Sequence, residues 1–111
     1  MNRDRVYLKH ILECIRRVEE DVQGGESVFR SNRTIQDAVL RNLQTLSESV
    51  QRLSGASKSL QPTIPWQEIA RFRNRIVHDY LHVDFDIVWG IIERDLPPLK
   101  IAIQEIQKTL P

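Results

Sequence analysis

Between residues 35 and 53, apolar side chains recur every three or four positions: Ile35, Val39, Leu43, Leu46, Val50 and Leu53. At 3.6 residues per turn the stripe persists for about five turns, which commits the segment to an amphipathic helix whose apolar face other elements must cover. Residues 4–21 repeat the pattern, with Leu8, Ile11, Leu12, Ile15, Val18 and Val22. "QGGES" (23–27) ends that first helix, Gly24 and Gly25 being suited to a left-handed cap. "SGASKS" (54–59) reads as a loop. "TIPWQE" starts a third helix with Pro65 at its first position, where a missing N–H costs nothing, and the helix is expected to last to about residue 81. "HVDFD" is the next break, and Asp84 suits the N-cap of a helix through Ile87, Val88, Ile91 and Ile92. Pro97 and Pro98 kink or restart the chain before a last segment with Leu99, Ile103, Ile106 and Leu110 on one side. No strand pattern competes and no internal repeat appears. The expected fold is all-α: an antiparallel bundle of four main helices with a proline-kinked C-terminal helix.

At 111 residues the chain reads as one domain, 1–111, able to bury a core without disulfides or metals. Apolar content of 41% and charged content of 28% fit a soluble globular protein. The net charge of +1 is not that of a polycationic nucleic-acid binder, so any affinity for RNA must come from local patterning. The single Cys14 excludes an intramolecular disulfide and a multi-cysteine metal site, and is expected as a small buried residue in a reducing compartment. No apolar run approaches the roughly 18 residues of a membrane span, and "MNRDRVYLKH" lacks the pattern of a signal peptide. A soluble, cytoplasmic protein is expected.

Chemistry concentrates in "RFRNRIVHDY" (71–80), with three arginines, an asparagine and a histidine. Sorted on an ideal helix of 100° per residue, Gln67, Arg71, Asn74, Arg75, His78 and His82 form a polar arc. Trp66, Ile69, Phe72, Ile76, Val77 and Tyr80 form the apolar one. Arg73 breaks the sorting, because it falls within the apolar arc. A guanidinium buried there alone would cost several kcal/mol, on the order of 3 or more. It must therefore find a carboxylate, escape along its own stem, or look into a cleft. Arg73 and His78 would also lie about 140° and roughly 7.5 Å apart on one straight helix. Either Arg73 wraps round, the helix loosens before His78, or the site is shared between two chains.

Individually, an arginine, asparagine and histidine on a helix are ordinary solvated or paired groups. Together they make a chemically complete set. His78 can exchange protons near neutral pH, Arg73 can hold a phosphate bidentately, and Asn74 can orient a hydroxyl or an imidazole. The residues Arg73, His78 and Tyr80 spell R-x-x-x-x-H-x-Y, preceded by "PWQEIA" and followed by "DFDIVWGIIERDLPPL". In this motif, its flanks and its helical layout the chain resembles HepT proteins of the HEPN superfamily, the toxin halves of bacterial and archaeal MntA–HepT toxin–antitoxin pairs. The resemblance covers the whole chain, with no departure at the motif positions.

It implies a type VII toxin: a metal-independent endoribonuclease without a cofactor, working as a homodimer whose motif helices flank a common basic cleft. Arg73 and His78 would be the catalytic pair and Asn74 a supporting polar residue. Tyr80 matches the tyrosine on which a cognate MntA-like nucleotidyltransferase antitoxin places AMP, and the resemblance leaves room for a larger hetero-oligomer with that antitoxin. Arg71 and Arg75, on the polar arc, are candidates only for steering RNA. The residue types suit the chemistry, since RNA brings its own nucleophile, the ribose 2′-OH. What remains is proton transfer and a cation on the developing phosphorane charge.

His78 and His82 stand at i, i+4, with Asp79, Asp84 and Asp86 nearby, but a histidine pair without a fixed third ligand reads as structural. His10 is expected exposed, and "RRVEED" a solvated face of local ion pairs. The second functional class is a non-catalytic HEPN module that binds a nucleotide or docks a nucleotidyltransferase. The intact Arg73–His78 pair favours the nuclease.

Overall fold

The structure, a computed structural model, describes residues 2–79 and 82–110, with the backbone alone at Asn2, His78 and Asp79. Helices α1 (Asn2–Asp21) and α3 (Arg33–Arg52) form where the apolar stripes demand them and pack along each other. Leu8, Ile11, Ile15 and Val18 of α1 and Val39, Leu43, Leu46 and Val50 of α3 are buried. Asn32 starts α3 by accepting the Ile35 N–H at 3.0 Å. The fold is all-α, as expected. Among the described residues no helix is long and apolar enough to cross a membrane.

Two short helices depart from the expected loops. After α1 the chain enters α2 (Glu26–Ser31) through Gly25, whose φ of 90° and ψ of 179° suit a residue without Cβ. The left-handed cap expected for α1 is not formed by either glycine: Gly24 has no positive φ, and Gly25, with its extended ψ, is the N-cap of α2. Helix α2 survives its shortness because Phe29 is fully buried and edge-on to Phe85, ring centroids 5.8 Å apart. Truncating such a phenylalanine costs about 3–5 kcal/mol. Residues 55–59, expected as loop, form α4 (Gly55–Ser59), N-capped by Ser54 Oγ accepting the Ser57 N–H at 3.1 Å.

That cap is pinned to the start of α1. The Asp4 carboxylate, 4% exposed, accepts the Ser54 N–H (3.1 Å), the Ser54 hydroxyl (2.5 Å) and the Ser57 hydroxyl (2.6 Å). Burial alone would raise its pKa. The hydrogen bonds from Ser54 and Ser57 outweigh burial and hold the group below the ordinary aspartate range. Cys14 is buried as expected, and burial pushes its thiol up against the opposing contact with Thr45. His10 is exposed, yet Nδ1 lies 2.6 Å from Ser49 Oγ of α3.

The chain then runs through α5 (Trp66–Ala70), α6 (Phe72–Ile76), a two-stranded antiparallel pair β1 (Val77–Asp79) and β2 (His82–Val83), and α7 (Phe85–Gly90). Pro65 is the N-cap of α5, one position before its expected place. Asp84 caps α7 by accepting the Ile87 N–H at 3.1 Å. A π-helical turn, Ile91–Asp95, leads into α8 (Leu96–Thr109). Pro97 and Pro98 lie in the first turn of α8, where proline's missing N–H is tolerated, and the widened turn before them absorbs the mismatch. Helix α8 lies against α1, with Lys100 Nζ 3.1 Å from Glu19, while α5 and α6 lie against α3. The "RRVEED" face carries Arg16–Glu13 and Arg16–Glu20 pairs at 2.6 and 2.7 Å.

Candidate functional site

The third helix is neither continuous nor as long as its pattern implied. It breaks at Arg71 (φ −112°, ψ 23°) and ends at Ile76, with Val77 extended (φ −102°, ψ 110°). The break has an identifiable cause. Gln51 of α3 donates its amide N–H to the Ala70 carbonyl at 2.8 Å. An unbroken helix would pair that carbonyl with the Asn74 N–H, which turns instead to the Arg71 carbonyl (2.9 Å). A side chain inserted into the i→i−4 ladder is a standard origin of a kink. Ile69, Phe72 and Ile76 stay buried across it, so the apolar stripe is kept.

The end at Ile76 is also supported from outside the helix. The Ile76 carbonyl accepts the Asp84 N–H at 2.8 Å, and Val77 pairs with Val83 in the strand ladder. Successive β-branched residues favour that extended exit. The expected absence of strands is therefore corrected here, and so is the helix to residue 81. Of the routes proposed for bringing Arg73 and His78 together, loosening of the helix before His78 is the one observed. The 140° separation does not exist in the fold, and it gives no argument for a shared site. Arg73 lies on α6 and His78 on β1. The side chain of His78 and all of Tyr80 lie outside the described residues.

Arg73 is exposed and looks into clefts, with no ion-pair partner among the described residues. One cleft, about 480 Å³, runs between α3 and the break, with Gln44, Glu48 and Gln51 on one wall and Arg71, Arg73 and Asn74 on the other. Arg71 and Asn74 are exposed and also meet in a second depression beside Gln67 and Glu68. Arg75 behaves differently. Its Nη1 is 3.3 Å from Asp95 in the π turn, and its guanidinium lies 5.7 Å from the Phe72 ring centre. Grouped with Arg71 on the wheel, it is the arginine tied to the scaffold.

The groove thus offers two cations for phosphates, an amide for a hydroxyl, and a carboxylate opposite. The α3 wall was missed in the sequence reading. Its signal was there: Gln44, Glu48 and Gln51 recur at helical spacing on a polar stripe beside the core stripe. Their relation to the 71–80 segment is a matter of packing and not of spacing.

Comparison with known proteins bears on the same segment. The family model described as Ribonuclease HepT-like matches residues 11–106, which include all of 71–80. A Thermococcus cleftensis protein named probable ribonuclease HepT is 33% identical over 105 residues, 92% of this chain and 94% of that protein. A Caldanaerobacter subterraneus subsp. tengcongensis protein provisionally named an RNase is 31% identical over 107 residues, 96% of each. A Methanocaldococcus jannaschii protein named a gamma-glutamylcyclotransferase and, provisionally, an RNase is 33% identical over 107 residues. In that case the alignment takes in 96% of this chain but 48% of the relative, so the chain spans about half its length. No solved structure matches significantly. With the family pattern running through both long helices, the Arg73 groove and α8, the chain belongs to the HepT-like ribonuclease family.

Proposed function

We propose that the chain is an endoribonuclease and that the groove beside Arg73 holds the scissile phosphodiester. The observation that carries this is Arg73 itself: an exposed guanidinium on a groove wall, without an ion-pair partner among the described residues, five positions before His78. Arg75, two positions on, is by contrast tied to Asp95.

In the reaction the ribose 2′-oxygen attacks phosphorus and the bond from phosphorus to the 5′-oxygen breaks. The 2′-OH proton is removed and a proton is delivered to the leaving oxygen, giving a 2′,3′-cyclic phosphate and a 5′-hydroxyl. Arg73 holds the non-bridging oxygens as charge develops on the phosphorane. His78 carries one of the two protons. Asn74 orients the ribose or the imidazole, and Arg71 contacts a neighbouring phosphate. No metal step is required by this set.

The finer reading follows the family. The protein is the toxin of a type VII toxin–antitoxin pair, active as a homodimer and silenced when a nucleotidyltransferase antitoxin transfers AMP from ATP to the Tyr80 hydroxyl, with pyrophosphate leaving. A nucleotide there adds negative charge and bulk close to the motif, opposing an incoming phosphate.

Purified protein incubated with RNA in EDTA is expected to cleave, and His78→Ala to abolish cleavage at an unchanged melting temperature. Loss of activity on chelation would remove the metal-independent mechanism. Equal cleavage by His78→Ala would remove the assignment of the site. Mass spectrometry after co-expression with a cognate nucleotidyltransferase tests the regulation, for which an unmodified Tyr80 is the contrary result.

A further inference from the structure

Arg73 stands on a ridge between two depressions. One is the polar groove; the other is a smaller, more enclosed slot of about 190 Å³ lined by Leu40, Gln44, Arg73, Ile76 and Val77. Gln44 and Arg73 line both. The slot walls are aliphatic: Leu40 sits one turn from Gln44 on α3, Ile76 closes α6, and Val77 opens β1 directly before His78.

The volume is below the roughly 300–1,000 Å³ of sites that enclose a drug-sized ligand. It suits one ring system and not a whole nucleotide. Two polar groups serve it. The Gln44 amide both donates and accepts, and it has no hydrogen-bond partner among the described residues. The Arg73 guanidinium is likewise unpaired there. Gln51, farther along the same helix, is already committed to Ala70. A flat ring with apolar faces, a donor–acceptor edge and an attached anion is a base on a phosphodiester chain.

We infer that the slot seats one RNA base next to the phosphate held by Arg73. Leu40, Ile76 and Val77 pack against its faces, and Gln44 pairs with its edge. The inference rests on the ribonuclease reading and adds that cleavage depends on the base at one position flanking the cut. A peptide or a second copy of the chain fits this slot less well, because its polar lining is a cation and an amide that has no hydrogen-bond partner among the described residues.

The test is to digest a randomised RNA pool and sequence the new ends, reading the distribution among sites instead of the total. The wild-type protein is expected to favour particular bases at one flanking position. Gln44→Met, which keeps the length but not the pairing edge, is expected to change the ratio of best to worst base by about tenfold. Leu40→Trp, which fills the slot, is expected to depress cleavage at the preferred sites with melting temperature and oligomeric state unchanged. Identical preference in wild type and Gln44→Met would overturn the assignment, as would a wild-type enzyme indifferent to both flanking bases. A changed oligomeric state in Leu40→Trp would give the slot to a second chain instead. Absence of any cleavage by the wild type would bring down the ribonuclease reading itself, a result distinct from cleavage without preference.

Discussion

Replacing Arg73 and Arg75 separately with alanine divides chemistry from scaffold. Arg73 has no ion-pair partner among the described residues and its side chain faces open grooves. Its truncation leaves no buried charge behind, so the stability change is expected within about 0.5 kcal/mol. On the ribonuclease reading the same change removes a preorganised cation from the phosphorane. Losing one such donor costs about 10²–10³ in rate. Arg75 has the opposite profile. Its pair with Asp95 is half-exposed at 3.3 Å, worth about 0.5 kcal/mol. Its position 5.7 Å over the Phe72 ring adds a similar amount, about 0.5 kcal/mol. The sum of about 1 kcal/mol corresponds to a fall of about 5 °C in melting temperature for a domain of this size. Calorimetry and a fluorogenic RNA assay on both variants give the comparison. Arg73→Ala cleaving at near wild-type rate with an unchanged melting temperature would refute the role given to Arg73. Arg75→Ala losing activity a hundredfold without losing stability would show that the two arginines have been exchanged.

Two further outcomes follow from the fold. Asp4→Asn is expected to lower stability at neutral pH by about 2 kcal/mol, because charge-assisted hydrogen bonds from buried groups are weakened together. The folded Asp4 carboxyl titrates below its unfolded value of roughly 3.9, so its contribution is complete above that pH and is lost as pH falls through the folded value. Urea melts from pH 7 down to pH 2 should therefore show a shallower acid loss in the variant, and parallel curves would contradict the anchor. Gly25→Ala, at φ 90°, is expected to cost about 1–3 kcal/mol. Gly55→Ala has open space around the new methyl and should be neutral or slightly stabilising. Equal melting temperatures for these two variants would contradict the Gly25 assignment.

What could be read from the chain depended on how local its causes were. The stripes of α1 and α3 encode burial on one face, and periodicity alone recovers them. Asp84 as a cap is equally local, since its acceptor and the Ile87 N–H are three residues apart. Helices α2 and α4 escaped because their stability is not in their own spacing. One rests on Phe29 reaching the core and the other on a serine cap pinned by Asp4 from the far end of α1. The same limit divides the candidate site. The wheel set Arg73 in the apolar arc of a continuous helix, whereas on the short α6 it is exposed while Phe72 and Ile76 are buried. The wheel did not reveal that Arg75 pairs with Asp95, twenty residues on, and it carried the helix past Ile76 because the contacts that end it come from Val83 and Asp84, with only two β-branched residues in 71–80 to hint at them.

The break at Arg71 comes from α3 and the helix end at Ile76 from the chain after the motif, so the motif's geometry is determined outside it. Gln51 captures the Ala70 carbonyl, the Asn74 N–H turns to Arg71, and the chain leaves the helix at Val77 with Asp84 holding the Ile76 carbonyl. Arg73 and His78 are thereby carried by different elements, and a helical repeat no longer sets the distance between them. Spacing within R-x-x-x-x-H names the chemical groups, while their relative placement depends on the Asp84 N–H and the Val83 strand partner, both outside the motif. A chain with the same six letters on an unbroken helix would hold its arginine and histidine on diverging faces. The motif's geometry therefore depends on its scaffold, and the part that bonds within the motif is the Asp84 N–H, on the Ile76 carbonyl.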